Sequence, residues 1–356
     1  MQVLPRIELI VSDSICLMKH AIVSLVFFLC GGLASQAAPS EVTLSILKTG
    51  GDVSLTWPSA GPGYSYTVHA CSTLGEDLWL PAAHSQPWPQ QGTQWSVPLN
   101  GASRGFFRLL TVQSAERGKL LSASAANGMS FDVTTTGQIL QGVGLPVTPT
   151  NGVRIVAIGY ETIDVNGGRT QASAALCLPY PAPASVPVVV YHHGTSVEKA
   201  AVPSALLLQS ELMAGFTLAS AGYAVVLPDY IGMGNSPGSH PYLHSRSEAT
   251  ASIDALRACK AYCVANAITL NNKLFLCGYS QGGHATLSTQ REMEKFHGSE
   301  FSITASAPMA GVYDISGVTL DDLLSGRTLP NSYYVPYLIS AYFSVYQMGQ
   351  SFASIL

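Results

Sequence analysis

Gly278-Tyr279-Ser280-Gln281-Gly282 places a serine between two glycines in the spacing G-x-S-x-G. A solid apolar run, Leu274 to Cys277, leads into it, and a helix-forming stretch follows. A serine between a buried strand and a helix sits on a sharp turn whose small flanks let the hydroxyl stand above the sheet. The amides that open the helix point at the same place, so the Gln281 N–H can hold a developing oxyanion. That chemistry is acyl transfer through a serine nucleophile, Ser280. The bland reading of the same residues is a tight glycine turn in an α/β sheet.

Val190-Tyr191-His192-His193-Gly194-Thr195 leaves the end of an earlier apolar strand, where such a site takes its second oxyanion donor; the amides of Gly194 and Thr195 are the candidates. His192 and His193 read as residues that shape this loop. His284, four residues after Ser280 on a helix turning away from the hydroxyl, reads as a packing residue rather than the base. Asp229, after the strand Tyr223 to Leu227, reads as fixing the loop through Ser236 by hydrogen bonds.

The elements around these residues are legible from periodicity. Val188 to Tyr191, Tyr223 to Leu227, Leu274 to Cys277 and Ile303 to Ala307 are too apolar to have a wet face. Helical stretches Ser204 to Ala221 and Ser247 to Ala267 lie between them, the second opened by the capping-box pattern Ser245-Arg246-Ser247-Glu248. Buried strands alternating with helices predict an α/β fold with a mostly parallel sheet covered on both faces. Ahead of it, Val153 to Asp164 and Thr170 to Leu178 flank Asn166-Gly167-Gly168, a hairpin signal.

From Ser40 to Val112 the pattern has period two, with Gly61-Pro62-Gly63 as a turn, and predicts a small antiparallel sandwich. Trp79, Trp88 and Trp95 either stack on sugars from its surface or fill its core. The expected organisation is a leader over 1–37, a sandwich over 40–113, a linker over 114–129 and an α/β core over 130–317, with the start of a helical cap over 318–356. In the leader, Lys19 and His20 precede the apolar run Ala21 to Ala34, and small residues follow near Ala37. This matches a secretory signal, predicting a secreted or periplasmic protein, with Met18 as an alternative start that would make 1–17 a misassigned extension. A spanning anchor needs about 20 apolar residues, more than this run offers.

Composition closes other readings. With 47% apolar and 11% charged residues the 356-residue chain is globular, long enough for about two domains. A net charge of −4 gives no basic field for nucleic acid. Cys71, Cys177, Cys259, Cys263 and Cys277 follow the leader; Cys259 and Cys263 share a helical stripe with core residues, and a bridge to Cys177 or Cys277 stays open. No cluster has metal-ligand spacing, and no cofactor is expected.

From Val153 onward the chain resembles the secretory lipase family of α/β-hydrolases, through YHHGT, the segment Gly222 to His244, GYSQGGHA from Gly278 and APMAGVYDISG from Ala307. The N-terminal segment resembles fibronectin-type-III-like modules beside secreted hydrolases, through its LTW, Tyr-x-Tyr-x-Val and FFR pieces. The first resemblance implies a Ser–Asp–His ester hydrolase acting on small-molecule or lipid esters, with Ser280 as nucleophile and Gln281 with Gly194 or Thr195 as oxyanion hole. It also implies a helical cap beginning over Val318 to Leu356, where Tyr333, Tyr334, Tyr337, Tyr342 and Phe343 would receive acyl chains. The second implies a spacer, or a surface or polysaccharide contact.

One departure stands out. Such folds order the triad as Ser, acid, His, yet His284 and His297 are the only histidines after Ser280, and none follows Asp314, Asp321 or Asp322. Asp314 matches a segment whose Asp is not catalytic. The expectation is a hydrolase cut short before its acid and base, and impaired for want of them. A peptidase or acyltransferase on the same fold, and a catalytically silent binding protein, are the alternatives.

Overall fold

The computed structural model describes residues 7–12, 44–49, 51–71, 79–82, 87–98, 104–208, 210–326 and 331–346. Two compact units emerge, the first built mainly from residues up to Ser114 and the second from Ala115 onward.

Among the described residues the first unit has seven strands: β1 (Ile7–Ser12), β2 (Ser45–Thr49), β3 (Asp52–Thr56), β4 (Tyr64–Cys71), β5 (Leu80–Pro81), β6 (Gln94–Pro98) and β7 (Arg104–Gln113). They form a four-stranded sheet, β1-β7-β4-β5, and a three-stranded one, β2-β3-β6, with antiparallel neighbours throughout. Val53 and Leu55 from one sheet meet Tyr66, Val68, Phe107 and Leu109 from the other in a shared core. Period-two alternation thus does what the sequence predicts: it turns one face of each sheet inward.

The tryptophans settle into that interior. Trp57, Trp79, Trp88 and Trp95 are all buried, with Trp57 tilted on Tyr66 and Trp95 on Phe107 at ring separations of 5.5 and 5.3 Å. A sandwich this small has few residues to fill it, and large rings supply the apolar area. The reading in which Trp79, Trp88 and Trp95 stack on sugars is therefore corrected: their faces are occupied. Ile7–Ser12, inside the expected leader, runs as β1 beside β7. The apolar run Ala21 to Ala34 and its small-residue boundary lie outside the described residues.

The second unit comprises β8 (Leu120–Phe131), α1 (Val133–Gly142), β9 (Gly152–Ile163), β10 (Arg169–Tyr180), β11 (Val186–His192), α2 (Ser210–Ser220), β12 (Ala224–Pro228), α3 (Ser245–Ala265), β13 (Leu270–Tyr279), α4 (Gln281–Phe296), β14 (Ile303–Met309), α5 (Leu320–Leu324) and α6 (Tyr334–Tyr346). The sheet order is β14-β13-β11-β12-β10-β9-β8. β14, β13, β11 and β12 pair in parallel, whereas β10, β9 and β8 run antiparallel to their neighbours. The sheet is thus mixed: the expected hairpin forms β9 and β10, and β8 extends the antiparallel half.

The segment 114–129, expected as a linker, carries most of β8 instead. Its Ser and Ala residues look like spacer composition, but their backbone pairs with β9 from Leu120 to Phe131, with register shifts between Leu120 and Ser122 and between Ala125 and Ser130. Small side chains hide a strand because strand recognition rests on bulky β-branched residues. The helix predicted from Ser204 starts later, at Ser210, after a short turn at Pro203–Ala205.

Helices cover both faces. Leu140 of α1 and Leu212, Met213 and Phe216 of α2 pack with Ile155, Cys177 and Val225 on one side. Ile253, Leu256 and Cys259 of α3 and Met293 of α4 pack with Val156, Val188 and Leu276 on the other. Cys177 therefore faces away from Cys259 and Cys263, which rules out a bridge between them. Cys177, Cys259, Cys263 and Cys277 are all free thiols.

Candidate active site

Sheet order reverses at β11, which lies between β12 and β13. In open α/β sheets such a switch point opens a crevice beyond the strands' carboxyl ends. β11 and β13 both end there, and His192 pairs with Gly278 in the register of the two strands.

Ser280 follows the last residue of β13 and precedes the first of α4. Its φ is 59° and its ψ −122°, a positive-φ conformation that a residue with a Cβ adopts only at a cost. The surroundings impose it. The Ser280 amide donates to the Met309 carbonyl at the end of β14 (3.0 Å), while the Ser280 carbonyl accepts from the amides of Gly283 (2.9 Å) and His284 (3.2 Å). Gly282 is required by contact, since a Cβ there would overlap the His192 carbonyl. Strand, bend and helix N-terminus together present the serine where the opening amides of α4 converge.

The second candidate loop runs alongside. A Cβ on Gly194 would lie 3.7 Å from the Tyr279 carbonyl, so the loop after β11 and the bend after β13 are neighbours. His193 fixes the loop's amide. Its Nδ1 lies 2.7 Å from the Gly194 carbonyl, which can only accept, so Nδ1 carries the proton. Pinning that carbonyl orients the trans peptide that follows, aiming the Thr195 N–H the opposite way. The Tyr230 hydroxyl donates to the His193 carbonyl at 3.0 Å, and Thr195 Oγ1 shares a hydrogen bond with Tyr242 at 2.9 Å. His192 is fully buried against Thr286 and Thr289 of α4 (2.9 and 3.2 Å), and burial pushes its pKa down to about 4.

Asp229 acts differently from the sequence expectation. It accepts from Ser173 Oγ (2.6 Å) and the Ser204 amide (3.0 Å), and Ser173 Oγ in turn accepts from the Asn235 amide (3.0 Å). The loop is tied at Asn235 through Ser173, not at Ser236. Burial raises the Asp229 pKa against the hydrogen bonds that lower it.

Two carboxylates near the site escaped the sequence reading. Glu211, at the start of α2, accepts from the Tyr191 hydroxyl (3.2 Å), and its other oxygen would stand 3.1 Å from a Cβ on Gly194. Glu248, read as the last member of a capping box, does not turn back to cap α3. His244 is the N-cap, its ring accepting weakly from the Ser247 amide at 3.4 Å. Glu248 points inward, buried, and accepts from His284 Nδ1 (2.6 Å) and Gln281 Nε2 (3.0 Å). Only contact across two helices reveals this, because the S-x-S-E pattern fits a cap equally well.

Asp314 caps its own turn, accepting from the amides of Gly317 (2.8 Å) and Val318 (3.3 Å). Among the described residues, the Ser280 hydroxyl has no histidine hydrogen-bonded to it. Further along, Tyr337 of α6 stacks on Tyr242 at 4.6 Å and donates to the Ser196 carbonyl at 3.2 Å, bringing an aromatic helix against the loop after β11.

The sequence pattern of the family described as secretory lipase matches residues 197–303. The structure is similar to that of the rice cell wall degrading esterase LipA from Xanthomonas oryzae, at 32% identity and a TM-score of 0.59, covering 65% of this chain and 61% of that one. It is also similar to a putative hydrolase from Legionella pneumophila, at 26% identity and a TM-score of 0.57, covering 64% and 62%. No curated protein matches the chain. The chain thus spans 61% of the length of the Xanthomonas esterase it resembles. The second unit has the α/β-hydrolase-like fold of the lipase and esterase kind.

Proposed function

We propose that the chain is a secreted serine carboxylic-ester hydrolase of the lipase or esterase type, with Ser280 as the nucleophile that forms an acyl-enzyme. The observation that carries this reading is the positive φ of Ser280 at the join of β13 and α4, beside the Gly194–Thr195 loop. In the first step, Ser280 Oγ attacks the ester carbonyl and the proton of its hydroxyl leaves to a base. The carbonyl oxygen takes up negative charge, held by the amides of Gln281 and of Gly194 or Thr195. Collapse expels the alcohol, which takes up the proton from that base. Water then attacks the acyl-enzyme, gives its proton to the base and releases the acid, and the base returns the proton to Ser280 Oγ. Substrates are small-molecule or lipid esters, and the aromatic side chains of α6 next to Tyr242 supply an apolar surface for an acyl chain.

The resemblance to secretory lipases and the apolar run after Lys19 support export, and the N-terminal sandwich resembles a fibronectin-type-III-like spacer.

The test is covalent labelling by a fluorophosphonate on the purified full chain. Labelling of wild type that is absent in Ser280→Ala supports the reading. Equal labelling of both proteins rejects it, and esters compared with amides of one acyl group then identify the leaving group.

A further inference from the structure

Gln281 carries an oxyanion amide on its backbone, yet its side chain points away into a buried polar network whose proton positions can be deduced. His240 Nδ1 lies 2.8 Å from the Ile231 carbonyl, so Nδ1 holds the proton and Nε2 is an acceptor. Gln281 Nε2 is 2.7 Å from that His240 Nε2 and 3.0 Å from Glu248 Oε1, spending one hydrogen on each. The reverse amide orientation would set its oxygen against a lone pair and a carboxylate, so only this one is permitted. His284 Nδ1 donates to the remaining Glu248 oxygen, Oε2, at 2.6 Å. The sequence of bonds runs without a break from the Ile231 carbonyl to the imidazole of His284.

The arrangement has a cost that packing alone does not explain. Gln281 Oε1 is buried with no hydrogen-bond partner among the described residues, and such orphaned acceptors are rare in folded proteins. An apolar residue would avoid it. What the amide supplies is a two-pronged anchor for the first residue of α4, directly after the strained Ser280.

We propose that Glu248 is a positioning residue for acylation, holding Gln281 and His284 so that the Gln281 amide stays aimed at the oxyanion. This rests on Ser280 being the nucleophile. Glu248 never touches the substrate; it acts through the turn it grips. His284 and Gln281 face it from α4, His240, Tyr230 and Tyr242 from the segment after β12, and His244 from the start of α3. Of these, His284 contributes the directly bonded charge.

E248Q replaces one acceptor oxygen by a donor NH₂, which must then face either the Gln281 amide or the His284 N–H. The concentration dependence of fluorophosphonate labelling separates probe affinity from the limiting rate. E248Q is expected to lower the limiting rate about 10- to 100-fold with affinity unchanged, as for a displaced oxyanion donor. E248Q/H284N sets the Asn Oδ1 where the imidazole Nδ1 stood, to accept from the introduced glutamine's NH₂ while that glutamine's oxygen keeps the Gln281 bond, and is expected to recover most of that loss. Wild-type rate in E248Q, or a double variant no faster than E248Q, overturns the proposal. A third reading needs no labelling at all: a downfield imidazole N–H in the proton spectrum of wild type, assigned by its loss in His284→Asn. Its presence in wild type and disappearance in E248Q support the anchor even if Ser280 proves unreactive, and its absence from wild type overturns it.

Discussion

The amide of Ser280 donates to the carbonyl of Met309, so the residue with the least comfortable backbone of the site is tied sideways to the next strand of the sheet. Strain at φ 59° is thereby supported by neighbouring structure rather than relieved. Ser280→Gly removes the Cβ penalty and leaves that hydrogen bond in place. The variant is expected to be more stable by about 1 kcal/mol, read by denaturant unfolding, and to lose all labelling at this position.

Gly282 is the converse case. A methyl there would collide with the His192 carbonyl, and neither backbone can yield without moving the bend. Gly282→Ala should destabilise by about 1–3 kcal/mol, as overpacking does, and slow labelling together with it. A variant of unchanged stability and rate would show that the bend tolerates what the geometry forbids.

His193→Phe keeps the ring and its tilted contact with Tyr230, 4.4 Å away, but gives up the bond to the Gly194 carbonyl. The freed peptide no longer aims the Thr195 amide. Labelling should slow about 10- to 100-fold with a stability change near 1 kcal/mol, the usual worth of one hydrogen bond.

The Glu248–His284 pair sets a pH window. Burial alone would raise the Glu248 pKa, but the attraction and hydrogen bonds of His284 and Gln281 bring it below its ordinary 4.5. Burial alone would lower that of His284, and Glu248 lifts it above 6.5. The carboxylate's contribution is complete above 4.5 and is lost as pH falls through its depressed value. The imidazolium's is complete below 6.5 and is lost as pH rises through its elevated one. Stabilisation by the pair is greatest between those limits. His284→Ala leaves a buried carboxylate uncompensated and should cost about 3–5 kcal/mol there, with a smaller difference from wild type on the alkaline side. Melting curves across pH 4 to 9 check this.

Trp95 lies buried against Phe107 in the first unit. Trp95→Ala should cost about 3–5 kcal/mol of that unit's stability, measured by tryptophan fluorescence during unfolding. A surface role would leave stability untouched.

Much of the second unit was legible because its strands are bulky, apolar and short. Val188 to Tyr191 and Leu274 to Cys277 could hardly be anything else, and the glycines around Ser280 mark the bend between strand and helix. β8 was not legible, since Ser and Ala carry no side chain that demands a sheet, and only the backbone of β9 recruits them. Glu248 was hidden for another reason. A glutamate three residues into a helix serves a cap or a distant histidine equally well, and the choice is made by α4 packing against α3, which local spacing does not encode. Trp79, Trp88 and Trp95 posed a similar ambiguity, decided by how little else the sandwich has to fill its interior.

Cys177 sits on one face of the sheet and Cys259 with Cys263 on the other, each sealed under its own pair of helices. Burial raises the Cys177 thiol and pushes that of Cys277 up to about 11, so neither offers an attacking thiolate near neutrality. Dithiothreitol should leave the melting temperature of this unit where it was. A reducing cytosol and an oxidising exterior would leave Cys177 and Cys277 in the same state, so these two thiols keep no chemical record of the compartment where they were made.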